Sequence, residues 1–118
     1  MKKRILIVDD DQSILDALKL ILTAQNYEVI CSQDGQQVLQ LAEQSPPDVL
    51  LLDLWMSGVA GEEVCQALKK QPQTKDIPVI LVSAHQDLAD IAARAGADRF
   101  LMKPFELKEL QRLIEELV

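Results

Sequence analysis

Residues 5–11 read Ile5-Leu6-Ile7-Val8-Asp9-Asp10-Asp11, and residues 49–53 read Val49-Leu50-Leu51-Leu52-Asp53. Four consecutive apolar residues suit a strand buried on both faces, the pattern of a central strand in a parallel sheet. Both runs stop at aspartate. If the two are neighbouring parallel strands, their C-terminal ends gather several carboxylates at one edge of one sheet. Like charges crowded there repel, and a cation among them removes that cost. Hard, oxygen-seeking Mg2+ is the natural candidate.

Working outward, strand and helix patterns alternate along the whole chain. Ile5–Val8 is followed by a helix at Gln12–Ala24, with Ile14, Leu15, Leu18, Ile21 and Leu22 at helical spacing. Asn26 stands where a left-handed helix stop belongs. Glu28–Ser32 alternates like an edge strand. Gln36–Gln44 is helical and ends before Pro46-Pro47. Asp48–Asp53 is the second apolar strand, Gly58 to Gly61 a flexible loop, and Glu62–Lys70 the third helix. Val79–Val82 is the third apolar strand. Leu88–Ala95 is a short helix stopped by Gly96, Arg99–Met102 the last strand and Glu106–Leu117 the last helix. Five strands alternating with five helices predict an α/β domain with a parallel sheet. The three apolar strands belong in the centre and the two mixed ones at the edges. Right-handed crossovers then favour strand order 2-1-3-4-5, the flavodoxin-like doubly wound fold, in one domain over residues 1–118. Ligands of such sheets bind beyond the strand C-termini at the switch point, where Asp9, Asp10 and Asp53 fall. Ser83 and Lys103 end the fourth and fifth strands on the same rim.

The bulk composition narrows the function. A net charge of −7 argues against nucleic acid and against an anionic membrane face. Cys31 and Cys65 match no metal or redox spacing and read as reduced, packed thiols. The apolar stretch after Met1-Lys2-Lys3-Arg4 is too short for a signal peptide, and no stretch reaches transmembrane length. A cytoplasmic protein is the simplest expectation.

Asp53 is the candidate nucleophile, since a carboxylate can attack a phosphoryl group and form an acyl phosphate. Anion then approaches anion, so the site must supply positive charge. Mg2+ held by Asp10 and Asp53 would do so, with Asp9 orienting a water. Lys103 offers an ammonium for one phosphoryl oxygen and Ser83 a hydroxyl for another.

With these residues in place, the chain resembles a response-regulator receiver domain of two-component signalling, similar to the single-domain chemotaxis regulator. The resemblance rests on Ile5-Leu6-Ile7-Val8-Asp9-Asp10, Leu51-Leu52-Asp53-Leu54-Trp55-Met56, Val82-Ser83-Ala84 and Lys103-Pro104-Phe105. It implies that Asp53 receives phosphate from a histidine kinase or phosphotransfer protein. It implies Asp10, Asp53 and the main-chain carbonyl of Trp55 as Mg2+ ligands, with Asp9 helping through water. Ser83 takes the hydroxyl switch position and Phe100 the aromatic one, and the Lys103–Pro104 bond would be cis. Trp55 and His85 occupy positions that border the phosphoryl group and tune its hydrolysis. The output face would be the fourth helix, fifth strand and fifth helix, docking a downstream protein or a second copy.

The chain also departs from the family pattern. Ser57-Gly58 replaces the usual proline after Met56, so a looser loop is expected; Ala60 replaces a common acid, and Phe100 a commoner tyrosine. The stretch from Ser83 to Lys103 is slightly short, which predicts a trimmed fourth helix. Plainer roles compete at several positions. Asp11 reads as the cap of the first helix, His85 as a partly exposed loop residue, and the acidic last helix as a solvated face. Trp55 should be partly exposed, and Phe100 is either static core or a moving switch. A stand-alone phosphorylated module is the leading reading, and a receiver belonging to a larger regulator or hybrid kinase is the second. A phosphohydrolase of the haloacid-dehalogenase type, with Asp9 as nucleophile and Asp11 as acid, is a third, and a pseudo-receiver without phosphate a fourth.

Overall fold

A computed structural model of the chain describes residues 2–56 and 58–118; Met1 and Ser57 lie outside the described residues. The elements are β1 (Arg4–Val8), α1 (Gln12–Ala24), β2 (Glu28–Ser32), a 3-10 turn (Gly35–Gln37), α2 (Val38–Gln44), β3 (Val49–Asp53), β4 (Trp55–Met56), β5 (Val59–Ala60), α3 (Gly61–Lys70), β6 (Val79–Ser83), α4 (Leu88–Ala95), β7 (Arg99–Met102) and α5 (Leu107–Leu117). The main sheet is parallel, in the order β2-β1-β3-β6-β7. This is the expected doubly wound arrangement, with β6 and β7 as the fourth and fifth strands of that sheet.

Alternation along the strands divides the interior into two cores. Leu6, Val8, Leu50, Leu52, Val79 and Leu81 pack with residues of α2, α3 and α4. Ile5, Ile7, Val49, Leu51, Ile80 and Val82 pack with residues of α1 and α5. A strand covered on both faces must be apolar at every position, which explains the unbroken runs in β1, β3 and β6.

Chain reversals follow local chemistry. Asp11 caps α1, its carboxylate accepting the Ser13 N–H at 3.0 Å and the Ser13 hydroxyl at 2.6 Å. Asn26 has a φ of 74° just beyond the end of that helix, and Gly96 has a φ of 78° at the end of α4.

Two expectations are corrected. Gly58 to Gly61 do not form a bare flexible loop: Val59 and Ala60 pair antiparallel with Met56 and Trp55, and Gly61 already opens α3. Met56 is fully buried between that ladder and the α2–α4 core, which holds the segment down. The helix expected at Gln36–Gln44 is split into a 3-10 turn capped by Asp34 and the shorter α2.

Candidate functional site at the carboxyl rim

Register places the chemistry. Val8 pairs with Leu52, so Asp9 and Asp53, one residue on from each, emerge side by side. Asp53 in turn pairs with Val82, and Ser83 with Met102, so Ser83 and Lys103 follow on the same edge. Carboxylate oxygens of Asp9, Asp10 and Asp53 all lie within 4.8 Å of one another. Asp9 is only 5% exposed, Asp53 is half-buried and Asp10 faces solvent.

Lys103 reaches into this cluster. Its ammonium donates to Asp9 Oδ2 at 3.0 Å and to Asp53 Oδ1 at 3.2 Å. The backbone fixes where it starts: the Lys103 N–H donates to the Ser83 carbonyl at 2.9 Å, and the Lys103–Pro104 bond is cis, as expected. The other oxygen of Asp9 accepts the Asp11 N–H at 2.9 Å. Burial raises the Asp53 pKa above its ordinary value. The charge of Asp9 pushes the same way, Lys103 opposes, and Asp10 adds to the rise. Burial pulls the Lys103 pKa down, but the hydrogen bond to Asp9 and the charges of Asp53 and Asp9 outweigh it, leaving a net rise.

The side-chain hydrogen bond of Ser83 lies outside this cluster. Ser83 Oγ accepts the His85 N–H at 3.0 Å, closing a turn on its own loop. Phe100 is 45% exposed on the outer strand, so it is not static core. Trp55 is 62% exposed, as expected beside a polar rim, and His85 is an exposed loop residue. Glu116 on the acidic face of α5 pairs with Arg99 and Arg112. Both cysteines are free thiols, and burial pushes Cys65 up to about 11, which keeps it inert.

Sequence reasoning placed Gly61 in a flexible loop and missed its contact with the end of β3. A Cβ there would collide with the Asp53 carbonyl oxygen, and the bare glycine lets its N–H reach the Leu54 carbonyl at 2.6 Å. The α3 end of the loop is thereby drawn tight against the end of β3. A glycine opening a helix is the only sequence signal of that contact.

The family profile described as response regulator receiver domain matches residues 5–115. This chain belongs to the response-regulator receiver domains. It is a signalling module of two-component systems. It is 36% identical over 112 residues to the DNA-binding response regulator MtrA of Mycolicibacterium paratuberculosis, covering 93% of this chain and 48% of MtrA. The chain thus spans about half the length of the curated relatives it matches. Among solved structures, the chemotaxis response regulator CheY4 of Vibrio cholerae is similar with a TM-score of 0.91 at 27% identity, covering 100% of both chains. The response regulator TrrA of Thermotoga maritima, solved in complex with Mg2+-BeF, is similar with a TM-score of 0.87 at 32% identity, covering 98% of this chain and 99% of TrrA. The family matched is that of receiver domains, and Asp11, the acid of the phosphohydrolase alternative, caps α1. No helix among the described residues is long and apolar enough to cross a membrane.

Proposed function

We propose that Asp53 is the phosphoacceptor of this receiver. A histidine kinase or phosphotransfer protein would supply the phosphoryl group in the presence of Mg2+. The observation that carries the reading is the Lys103 ammonium bonded to both Asp9 and Asp53 within a three-carboxylate rim. Three carboxylates so close, with Asp53 shifted up by burial and by Asp9, suit a hard divalent ion. Asp10, Asp53 and the Trp55 carbonyl would hold it, with Asp9 in support. Mg2+, when bound, supplies the positive charge that lets two anions approach. TrrA, solved with Mg2+-BeF, supports the assignment by likeness.

This chain's residues then have separable tasks. A carboxylate oxygen of Asp53 attacks the phosphorus of a phosphohistidine, the P–N bond breaks, and the imidazole leaves with the electron pair. Lys103, already bonded to Asp53, passes to a phosphoryl oxygen. Ser83 Oγ accepts from His85, so its own hydrogen is available to donate to a second phosphoryl oxygen. That movement draws on the loop leading to α4, and the Phe100 ring turns inward. The face changed is α4, β7 and α5, where exposed Phe100 and Met102 could meet a downstream protein or a second copy.

A second reading places this receiver within a longer regulator. It is favoured by the 48% of MtrA that the match covers, and the full reading frame decides it. The experiment for the main reading is intrinsic fluorescence of Trp55, the sole tryptophan. Mg2+ followed by beryllofluoride should change it in wild type, and the beryllofluoride step should vanish in Asp53→Asn. No Mg2+-dependent response, or the same response in Asp53→Asn, would overturn the proposal.

A further inference from the structure

We infer that His85 is a positioning residue that joins the Ser83 hydroxyl to the start of α4; this rests on the phosphoacceptor reading of Asp53. Three hydrogen bonds meet at His85. Its N–H donates to Ser83 Oγ at 3.0 Å. Its ring Nδ1 accepts the Asp87 N–H at 3.0 Å. Its carbonyl accepts the Leu88 N–H at 3.1 Å, and the Asp87 carbonyl then accepts the Ile91 N–H at 3.0 Å. One residue therefore touches the hydroxyl on one side and the first turn of α4 on the other.

The ring binds the residue that precedes the first turn of α4. Asp87 stands at the N-cap, a position where its residue type normally caps through its carboxylate, yet it makes no side-chain cap bond. The imidazole accepts the Asp87 N–H two residues ahead, as an asparagine side chain does in an Asx turn, and so fixes the N-cap residue rather than capping the helix. The segment 83–88 is thus tied at both ends. When Ser83 turns towards a phosphoryl oxygen, its Oγ leaves the His85 N–H or carries it along. In either case the ring passes the displacement to Asp87 and to the first turn of α4. Without the ring, the tie at Asp87 is lost and only the main-chain bond from Leu88 to the His85 carbonyl couples Ser83 to α4.

Amide hydrogen exchange at residues 85–91 tests this, comparing apo protein with protein saturated in Mg2+ and beryllofluoride. Wild type, His85→Ala and His85→Asn are each brought to saturation, checked by Trp55 fluorescence. In wild type, beryllofluoride should change protection at Asp87, Leu88 and Ile91 by about fivefold or more, the effect of one ordinary hydrogen bond on local opening. In His85→Ala that change should be lost at Asp87 and reduced at Leu88 and Ile91, and His85→Asn, which keeps an acceptor for the Asp87 N–H, should restore it. A merely structural ring would raise exchange equally in both states and leave the beryllofluoride-induced ratio intact. That result, or failure of His85→Asn to rescue, overturns the inference while the Asp53 reading stands. A wild type with no fluorescence or exchange response to beryllofluoride overturns the Asp53 reading, and this inference with it.

Discussion

β3 and β7 run parallel in one sheet and end at one rim, yet one is sealed and the other open. Every residue from Val49 to Leu52 is buried between two layers of helices. Of the four residues of β7, only Leu101 is buried, and Phe100 and Met102 are 45% and 43% exposed. Asp53 ends the sealed strand, so it cannot shift without disturbing both cores. The open strand can turn its outward side chains at little cost. Lys103 links the two, leaving the end of β7 to reach Asp9 and Asp53. The arrangement keeps the proposed chemistry on fixed backbone and leaves mobility to the face that a partner would read.

Core substitution gives the largest contrast. Leu52→Ala should lower unfolding free energy by about 2–5 kcal/mol, because it opens a cavity in the core that the sheet shares with α2, α3 and α4. Phe100→Ala should cost no more than about 0.5 kcal/mol. Urea unfolding of both variants checks this, and equal losses would erase the distinction between the strands.

Next in size is the link itself. Lys103→Met leaves nearly buried Asp9 without its cation and should cost about 1–2 kcal/mol near neutral pH, less than for a fully buried pair because Nζ is partly solvated. The pH dependence has a definite sign. The folded-state value of Lys103 lies above its ordinary 10.5, so its contribution is complete below 10.5 and is lost as pH rises through the folded value. Wild type and variant should therefore converge on the alkaline side, as thermal melts would record. A gap that stays constant there would mean that lost packing of the lysine stem, not charge, explains the cost.

The strand runs and their terminal acids were legible because a doubly covered strand leaves a local signature, four apolar residues in a row. Their order followed because apolar runs belong inside and mixed ones at the edges. The Trp55–Ala60 ladder was not legible, since two-residue strands are too short to show a period and buried Met56 looks like any loop methionine. The grip of Lys103 on Asp9 was not legible either: 94 positions separate them, and only the folded register brings them to 3.0 Å. Residue type alone left Phe100 undecided between core and surface. Its edge strand, covered unevenly by α4 and α5, settles that it is exposed here.

A smaller effect of opposite sign comes from Asp53. Asp53 has a folded pKa above its ordinary 3.8, through burial and then the charge of Asp9. Its contribution to stability is thus present below 3.8 and is lost as pH rises through the folded value. At neutral pH the ionised form strains the site. Asp53→Asn should be more stable than wild type there, by on the order of 1 kcal/mol, the scale of two close charges near a surface. The difference should disappear as pH falls below about 4, where wild-type Asp53 is protonated. Denaturant midpoints at the two pH values measure it, and a variant less stable than wild type at neutral pH would show that the Lys103 bond outweighs the repulsion.

The smallest stability effect belongs to the open rim. Trp55 is 62% exposed, so Trp55→Asn should change unfolding free energy by no more than about 0.5 kcal/mol. Its consequence should appear in rate instead. Hydrolysis of an acyl phosphate on Asp53 needs a water to reach the phosphorus, and the indole two residues along the chain stands at that rim. Replacing it with asparagine removes bulk and offers an amide that can hold water. The lifetime of the phosphorylated protein should shorten severalfold, on the order of 1 kcal/mol in barrier, while urea midpoints barely move. That outcome would place phosphoryl lifetime in an exposed residue and leave stability with the sealed strand. A lifetime unchanged or longer in Trp55→Asn would show that the indole does not shield the site and that access to Asp53 is set by the buried strand end alone.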